Sequence, residues 1–241
     1  TICSYSFVPS FINSSDHVSF AFEIKLPNFS KLKHVKVLDL FRTSVATIFL
    51  DDFPDLSMLR VSHCQNLTKI NLSQIPSLIS LDVSANKDLT SFTADDCISH
   101  VISLDISYCE NLTSIPDTIY SSLQYFSIRH TRISELPYLP KVRYIDISST
   151  NITNLDKIRD MNELEIIILD HMLDIESLDM GFLTFLPKLR TIQSDIKNIS
   201  FSSWNESTQL TAIWLQNSKN VTDLQDILIQ KAQDESSNTT F

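Results

Sequence analysis

Apolar residues recur along this chain in one phrase, apolar-x-x-apolar-x-apolar, that restarts roughly every 22 residues. Copies begin at Val35, Leu56, Leu78, Val101, Leu123, Val142, Leu164, Leu189 and Leu210, at intervals of 21, 22, 23, 22, 19, 22, 25 and 21 residues. The alternation predicts a short strand, because successive strand side chains point to opposite faces. Its first, fourth and sixth places turn into a core and the residues between them face outward. One copy cannot bury its apolar edge alone, so neighbouring copies must stack around a shared interior. The pattern predicts an α/β solenoid of about nine rungs, with a parallel sheet of short strands along one face.

The clearest rungs read LSMLRVSHCQNLTKI, LISLDVSANKDLTSF and VISLDISYCENLTSI, followed by VRYIDISSTNITNL. Their ninth places hold Thr43, Cys64, Asn86, Cys109, Thr131, Thr150, Met172, Lys197 and Ser218, mostly small polar residues that suit a turn with backbone groups to satisfy. Ile70, Phe92, Ile115, Leu136, Leu155, Leu178 and Leu224 follow as the residues that close the core on its outer side. This arrangement resembles the leucine-rich-repeat family, whose phrase is LxxLxLxxN/CxL, over residues 34–221. The resemblance implies a leucine-rich-repeat horseshoe with its parallel sheet on the concave face, and recognition of a macromolecule without specifying which one. Met172 and Lys197 depart from the pattern and Ser194 occupies an apolar slot, so irregularity is expected in rungs seven and eight. The chain lacks the cysteine-rich caps that the family's animal extracellular members carry.

Three segments follow. Residues 1–33 form an N-terminal flank, with an alternating stretch at 18–24 (VSFAFEI) that predicts a capping strand over the exposed core. The repeats fill 34–221. In residues 222–241, Leu224, Ile227, Leu228 and Lys231 share one helical face, which predicts a capping helix over 222–233 followed by a disordered tail.

Composition narrows the chemistry. A net charge of −10 leaves no cationic surplus for a nucleic-acid backbone. No apolar run approaches the roughly 18 residues of a membrane span, so no direct membrane insertion is expected. The single glycine, Gly181, lies in no phosphate-binding loop. Cys64 and Cys109 hold the same place two rungs apart, about 10 Å at the strand spacing, too far for a disulfide, and read as buried free thiols. Whether Cys3 and Cys97 pair is left open. His63, His130 and His171 share the eighth place but sit too many rungs apart to converge on a metal. Asp39, Asp82, Asp105 and Asp146 share the fifth place, and an open sheet gives such carboxylates no pocket. No catalytic residues, cofactor or metal are expected.

Ten Asn-x-Ser/Thr sequons stand at Asn13, Asn28, Asn66, Asn71, Asn111, Asn151, Asn198, Asn205, Asn220 and Asn238. Composition alone predicts roughly three. Asn66, Asn111, Asn151, Asn198 and Asn220 recur at the tenth or eleventh place, so glycans there would line one edge and leave the sheet free. This favours a secreted glycoprotein or receptor ectodomain; the alternative is a cytoplasmic location.

On the outward face the sequence places Arg60, Tyr108, Tyr125, Arg129, Arg143, Tyr144 and Trp214, residue types that anchor interfaces. The expected function is non-enzymatic recognition of a protein ligand or receptor, with the stretch from Tyr108 to Tyr144 as its centre. Homo-oligomerisation is compatible with the same face. The alternatives are an intracellular adaptor or bacterial or pathogen effector, and the substrate-recognition part of a larger enzyme.

Overall fold

The computed structural model describes residues 34–222 apart from 47, 49, 51–52, 74, 95, 117–119 and 203–208. Nine short strands run parallel in a single sheet, one per rung: Val37–Asp39, Met58–Arg60, Ser80–Asp82, Ser103–Asp105, Tyr125–Ser127, Tyr144–Asp146, Ile166–Leu169, Thr191–Ser194 and Ala212–Leu215. The chain is a parallel-sheet solenoid with the rung register expected from the sequence. Leu38, Leu59, Leu81, Leu104, Phe126, Ile145, Ile167, Ile192 and Ile213, the fourth residues of their rungs, stand opposite one another along the sheet. From Leu59 to Ile192 these side chains are at most 1% exposed.

Helical content among the described residues is confined to 3-10 turns at Asp96–His100, Asp156–Asp160 and Met180–Phe185. Elsewhere the return path carries short parallel strands, Lys69–Asn71 with Ser91–Thr93, and Ser177–Asp179 with Asn198–Ser200 and Asn220–Val221. Ile70, Phe92, Leu136 and Leu155 close the core there, whereas Ile115 and Leu178 are partly buried against it. The capping strand, the terminal helix with Leu224, the tail, Cys3, and the sequons at Asn13, Asn28, Asn205 and Asn238 lie outside the described residues.

Every rung but the eighth turns sharply after its strand, and the turn explains the ninth place. Arg42, His63, Ala85, Tyr108, His130, Ser149, His171 and Asn217, all eighth residues, have φ between 54 and 65°. A side chain in this left-handed region costs roughly 1–2 kcal/mol, so the turn must be held by its surroundings. Two sets of bonds hold it. The eighth residue's N–H donates to the seventh residue's carbonyl on the next rung, as in His63 to Ser84 (3.0 Å) and Tyr108 to Arg129 (2.7 Å). The ninth side chain fills the buried backbone acceptors. Asn86 Nδ2 donates to the Val61 and Val83 carbonyls at 2.8 and 2.7 Å, and Thr131 and Thr150 hydroxyls donate to Ile128 and Ile147 at 2.8 Å.

Rung eight is irregular, as its sequence suggests. Its eighth residue, Ile196, is buried and has no positive φ, while the Lys197 side chain is exposed and only its carbonyl joins the rungs, accepting the Lys219 and Asn220 N–H groups at 2.9 and 3.0 Å. Without the usual turn, the carboxylate of Asp195 substitutes for a carbonyl and accepts the His171 N–H at 2.5 Å. Ser194, in the apolar slot, is fully buried and accepts the Ile196 N–H at 3.2 Å.

Candidate recognition face

The outward row of strand residues begins with a guanidinium clamp. Arg60 Nη1 lies 3.6 Å from Asp39, its Nε 3.3 Å from Asp82, and its guanidinium 4.1 Å from the Phe41 ring centroid. Arg60 Nε also donates to Ser62 Oγ at 3.2 Å, which donates in turn to Asp82 at 3.1 Å. Arg60 is thereby fixed at rung two, with two rungs between it and Tyr125.

The carboxylates of this row have a structural role that the sequence shows as a recurring Asp-x-Ser. Asp82 Oδ1 accepts the Ser84 N–H at 3.0 Å and the Ser84 hydroxyl at 2.6 Å, and Asp105 does the same with Ser107. Asp146 accepts the Ser148 N–H at 3.0 Å. Each carboxylate thus caps the end of its own strand. Asp82 and Asp105 are register partners on adjacent strands. Burial, together with the neighbouring Asp82 and Asp146 charges, outweighs the Ser107 bonds and holds Asp105 above its ordinary value.

The centre of the face is aromatic. Tyr125 and Tyr144, register partners at the third place, stack at 4.7 Å with their rings 7° from parallel. Tyr108 and His130 stack at 4.7 Å along the edge of left-handed turns, and Arg129 stands 5.6 Å from the Tyr108 ring centroid. Burial and the nearby Asp146 push the Tyr144 hydroxyl up to about 12, and burial with Asp105 nearby raises Tyr125 also. Both phenols are neutral donors at physiological pH. Burial and the Arg129 charge lower His130, favouring its neutral ring. The Arg129 Nε is buried without a hydrogen-bond partner, which leaves a donor on the face unsatisfied.

Arg143 is committed to an ion pair across one rung, its Nη2 lying 2.6 Å from Glu165 Oε1. Sequence reading missed Glu165, and no spacing rule singles it out. Asp170 is bonded by the Gln193 amide, and its Oδ1 is buried without a partner. Trp214 is 55% exposed and lies three strands from Tyr144. The structure stacks Tyr125 on Tyr144 at the third place, gathers Tyr108, His130 and Arg129 around the turns at the other end of the strands with the Arg129 charge felt by Tyr144, commits Arg143 to Glu165, and leaves Arg60 and Trp214 at separate stations.

The three histidines of the eighth place lie on rungs two, five and seven, and among the described residues no group of three potential ligands gathers around a metal position. Cys64 and Cys109 are buried free thiols that donate to the Leu40 and Val83 carbonyls at 3.3 Å. Of the described sequons, Asn66, Asn71, Asn111, Asn151 and Asn220 are exposed, and Asn198 is half-buried with its oxygen accepting from Asn220 at 2.7 Å.

The fold is that of the leucine-rich-repeat proteins. The functional domain of InlJ from Listeria monocytogenes, which includes a cysteine ladder, is similar at 18% identity with a TM-score of 0.52, covering 79% of this chain and 51% of that one. A leucine-rich-repeat protein of Leptospira interrogans is similar at 17% identity with a TM-score of 0.50, covering 84% and 66%. This chain thus spans about half of the first protein and about two thirds of the second. No protein-family model and no curated protein sequence matches the chain. No helix among the described residues is long and apolar enough to cross a membrane.

Proposed function

We propose that this chain is a non-enzymatic module that recognises a protein ligand or receptor through the outward face of its nine-stranded sheet, and that it works outside the cell. The stacked Tyr125–Tyr144 pair, half-exposed on the same side of the sheet as the Tyr108–His130 stack and Arg129 at the turns, carries this reading. Rings already ordered by their neighbours lose little conformational freedom when a partner covers them, and Tyr and Arg are the side chains that most often anchor an interface. The exposed sequons at Asn66, Asn111 and Asn151 support the extracellular part, since sugars there leave the sheet open.

An intracellular adaptor or pathogen effector is the second reading, favoured by two buried thiols that remain free. Mass spectrometry of the native protein before and after deglycosylation separates the two, and an unmodified chain overturns the glycoprotein reading. For the face itself, the double variant R129E/R143E should weaken capture of the native partner while the melting curve keeps its single transition. Unchanged affinity would move the site off the centre of the sheet.

A further inference from the structure

Eight large apolar or aromatic side chains stand exposed among the described residues, and four of them, Val37, Met58, Ile79 and Ile102, fall on rungs one to four at the entry side of the strands. Val37 and Met58 are register partners at the third place, and Ile79 and Ile102 hold the second place on the next two rungs, where the Ile102 N–H donates to the Ile79 carbonyl at 2.8 Å, so they form two pairs one place apart. Ile79 and Ile102 are 48% and 39% exposed. A run of apolar side chains in water marks an interaction surface rather than scattered decoration.

Charge decides what covers it. Beside the Ile79–Ile102 pair, the strand places flanking Asp82 and Asp105 carry only serines, Ser80 and Ser84 on rung three and Ser103 and the buried Ser107 on rung four, with Tyr108 beyond them at the turn. The result is a trough between Arg60 on one side and Tyr125 on the other. The fifth-place row continues through Ser127 to Asp146, with no cation between Asp82 and Asp146. Nearby cations are already engaged: Arg60 is shared by Asp39 and Asp82, Arg129 stands over Tyr108, and Arg143 pairs with Glu165. Lys36 and Arg42 belong to the outermost rung, two strands from Asp82. The carboxylates of the trough thus outnumber the cations available to them, and the net charge of −10 draws the same kind of partner from a distance.

We propose, resting on the sheet-face reading above, that the partner presents a basic amphipathic polypeptide segment that seats apolar side chains on Ile79 and Ile102 and a Lys or Arg over Asp82 and Asp105. The test is fluorescence anisotropy of a labelled short peptide alternating Lys and Leu, titrated with the full chain, beside its Glu–Leu counterpart. The Lys–Leu peptide should bind in a salt-sensitive manner and the Glu–Leu peptide should not.

D82N/D105N keeps the oxygens that accept from Ser84 and Ser107 and removes the buried charge of Asp105, so its melting temperature at neutral pH should be at or above that of the parent chain, while affinity for the basic peptide falls roughly tenfold. I79S/I102S should weaken the same peptide. E135Q/D160N, which removes two exposed charges off this face, should leave it unchanged.

Equal binding of both peptides, no loss in D82N/D105N, or an equal loss in E135Q/D160N overturns the inference. So do cross-links joining Lys25 or Lys31 to Asp82 or Asp105 when no peptide binds, since the chain's own residues 1–33 would then occupy the trough. If R129E/R143E abolishes native-partner capture while D82N/D105N leaves peptide affinity intact, the sheet-face reading stands and only the basic segment is lost.

Discussion

The Asn86 side-chain oxygen accepts the Cys64 backbone N–H at 2.7 Å, joining two rungs through one buried amide. The same amide's nitrogen satisfies the Val61 and Val83 carbonyls, and Asn86 is fully buried. Asn86→Ala would leave the Cys64 N–H and the Val61 carbonyl unpaired in a dry interior, and the Val83 carbonyl with only the weak Cys109 thiol donor. A loss of about 3–5 kcal/mol in denaturant unfolding is expected, at roughly 1–3 kcal/mol for each stranded group. Asn86→Ala at parental stability would mean that water or a shifted backbone reaches this turn.

Leu81 and Leu104 lie opposite each other in the sheet and are buried to within 1%. Either Leu→Ala change should cost about 2–5 kcal/mol, because stacked rungs cannot collapse into the space left behind. Urea titration measures this, and near-neutral effects would contradict the rung register.

Ala85 holds φ at 56° with no polar side chain to compensate. Ala85→Gly removes the Cβ clash but gives the unfolded chain more freedom, so a net gain of about 0.5–1 kcal/mol is expected. Differential scanning calorimetry would show it as a higher melting temperature, and a lower one would refute the strain argument.

Burial pushes the Cys109 thiol up to about 12 and raises Cys64 as well. Thiols held this far above neutrality are poor nucleophiles. Iodoacetamide at mildly alkaline pH should leave both unmodified in the folded chain and alkylate both in denaturant, as read by peptide mass spectrometry. Rapid native labelling of Cys109 would show that the core opens.

Asp105 is raised above its unfolded value by burial, so its ionised form opposes folding. That opposition is complete at neutral pH, declines as pH falls through the folded value, and vanishes below the unfolded one. Asp105→Asn should therefore gain stability relative to the parent chain at neutral pH, with the advantage fading toward acid. Thermal melts across pH 3 to 7 on both proteins test the sign, and an advantage that grows in acid would reverse it.

The sequence by itself determined the solenoid. Apolar residues at the first, fourth and sixth places settled the period and which side of each strand faces inward, because strand geometry alternates side chains whatever lies nearby. It also marked rung eight as irregular through Ser194 and Lys197. Only the tertiary structure decided the pairing of residues one rung apart: Tyr125 stacked on Tyr144, Arg143 held by Glu165, Asp195 replacing a carbonyl for His171. Those contacts join residues 19 to 24 positions apart. The periodic pattern specifies that rungs stack, but rotamers, charge competition and turn length decide which outward side chains meet once they do.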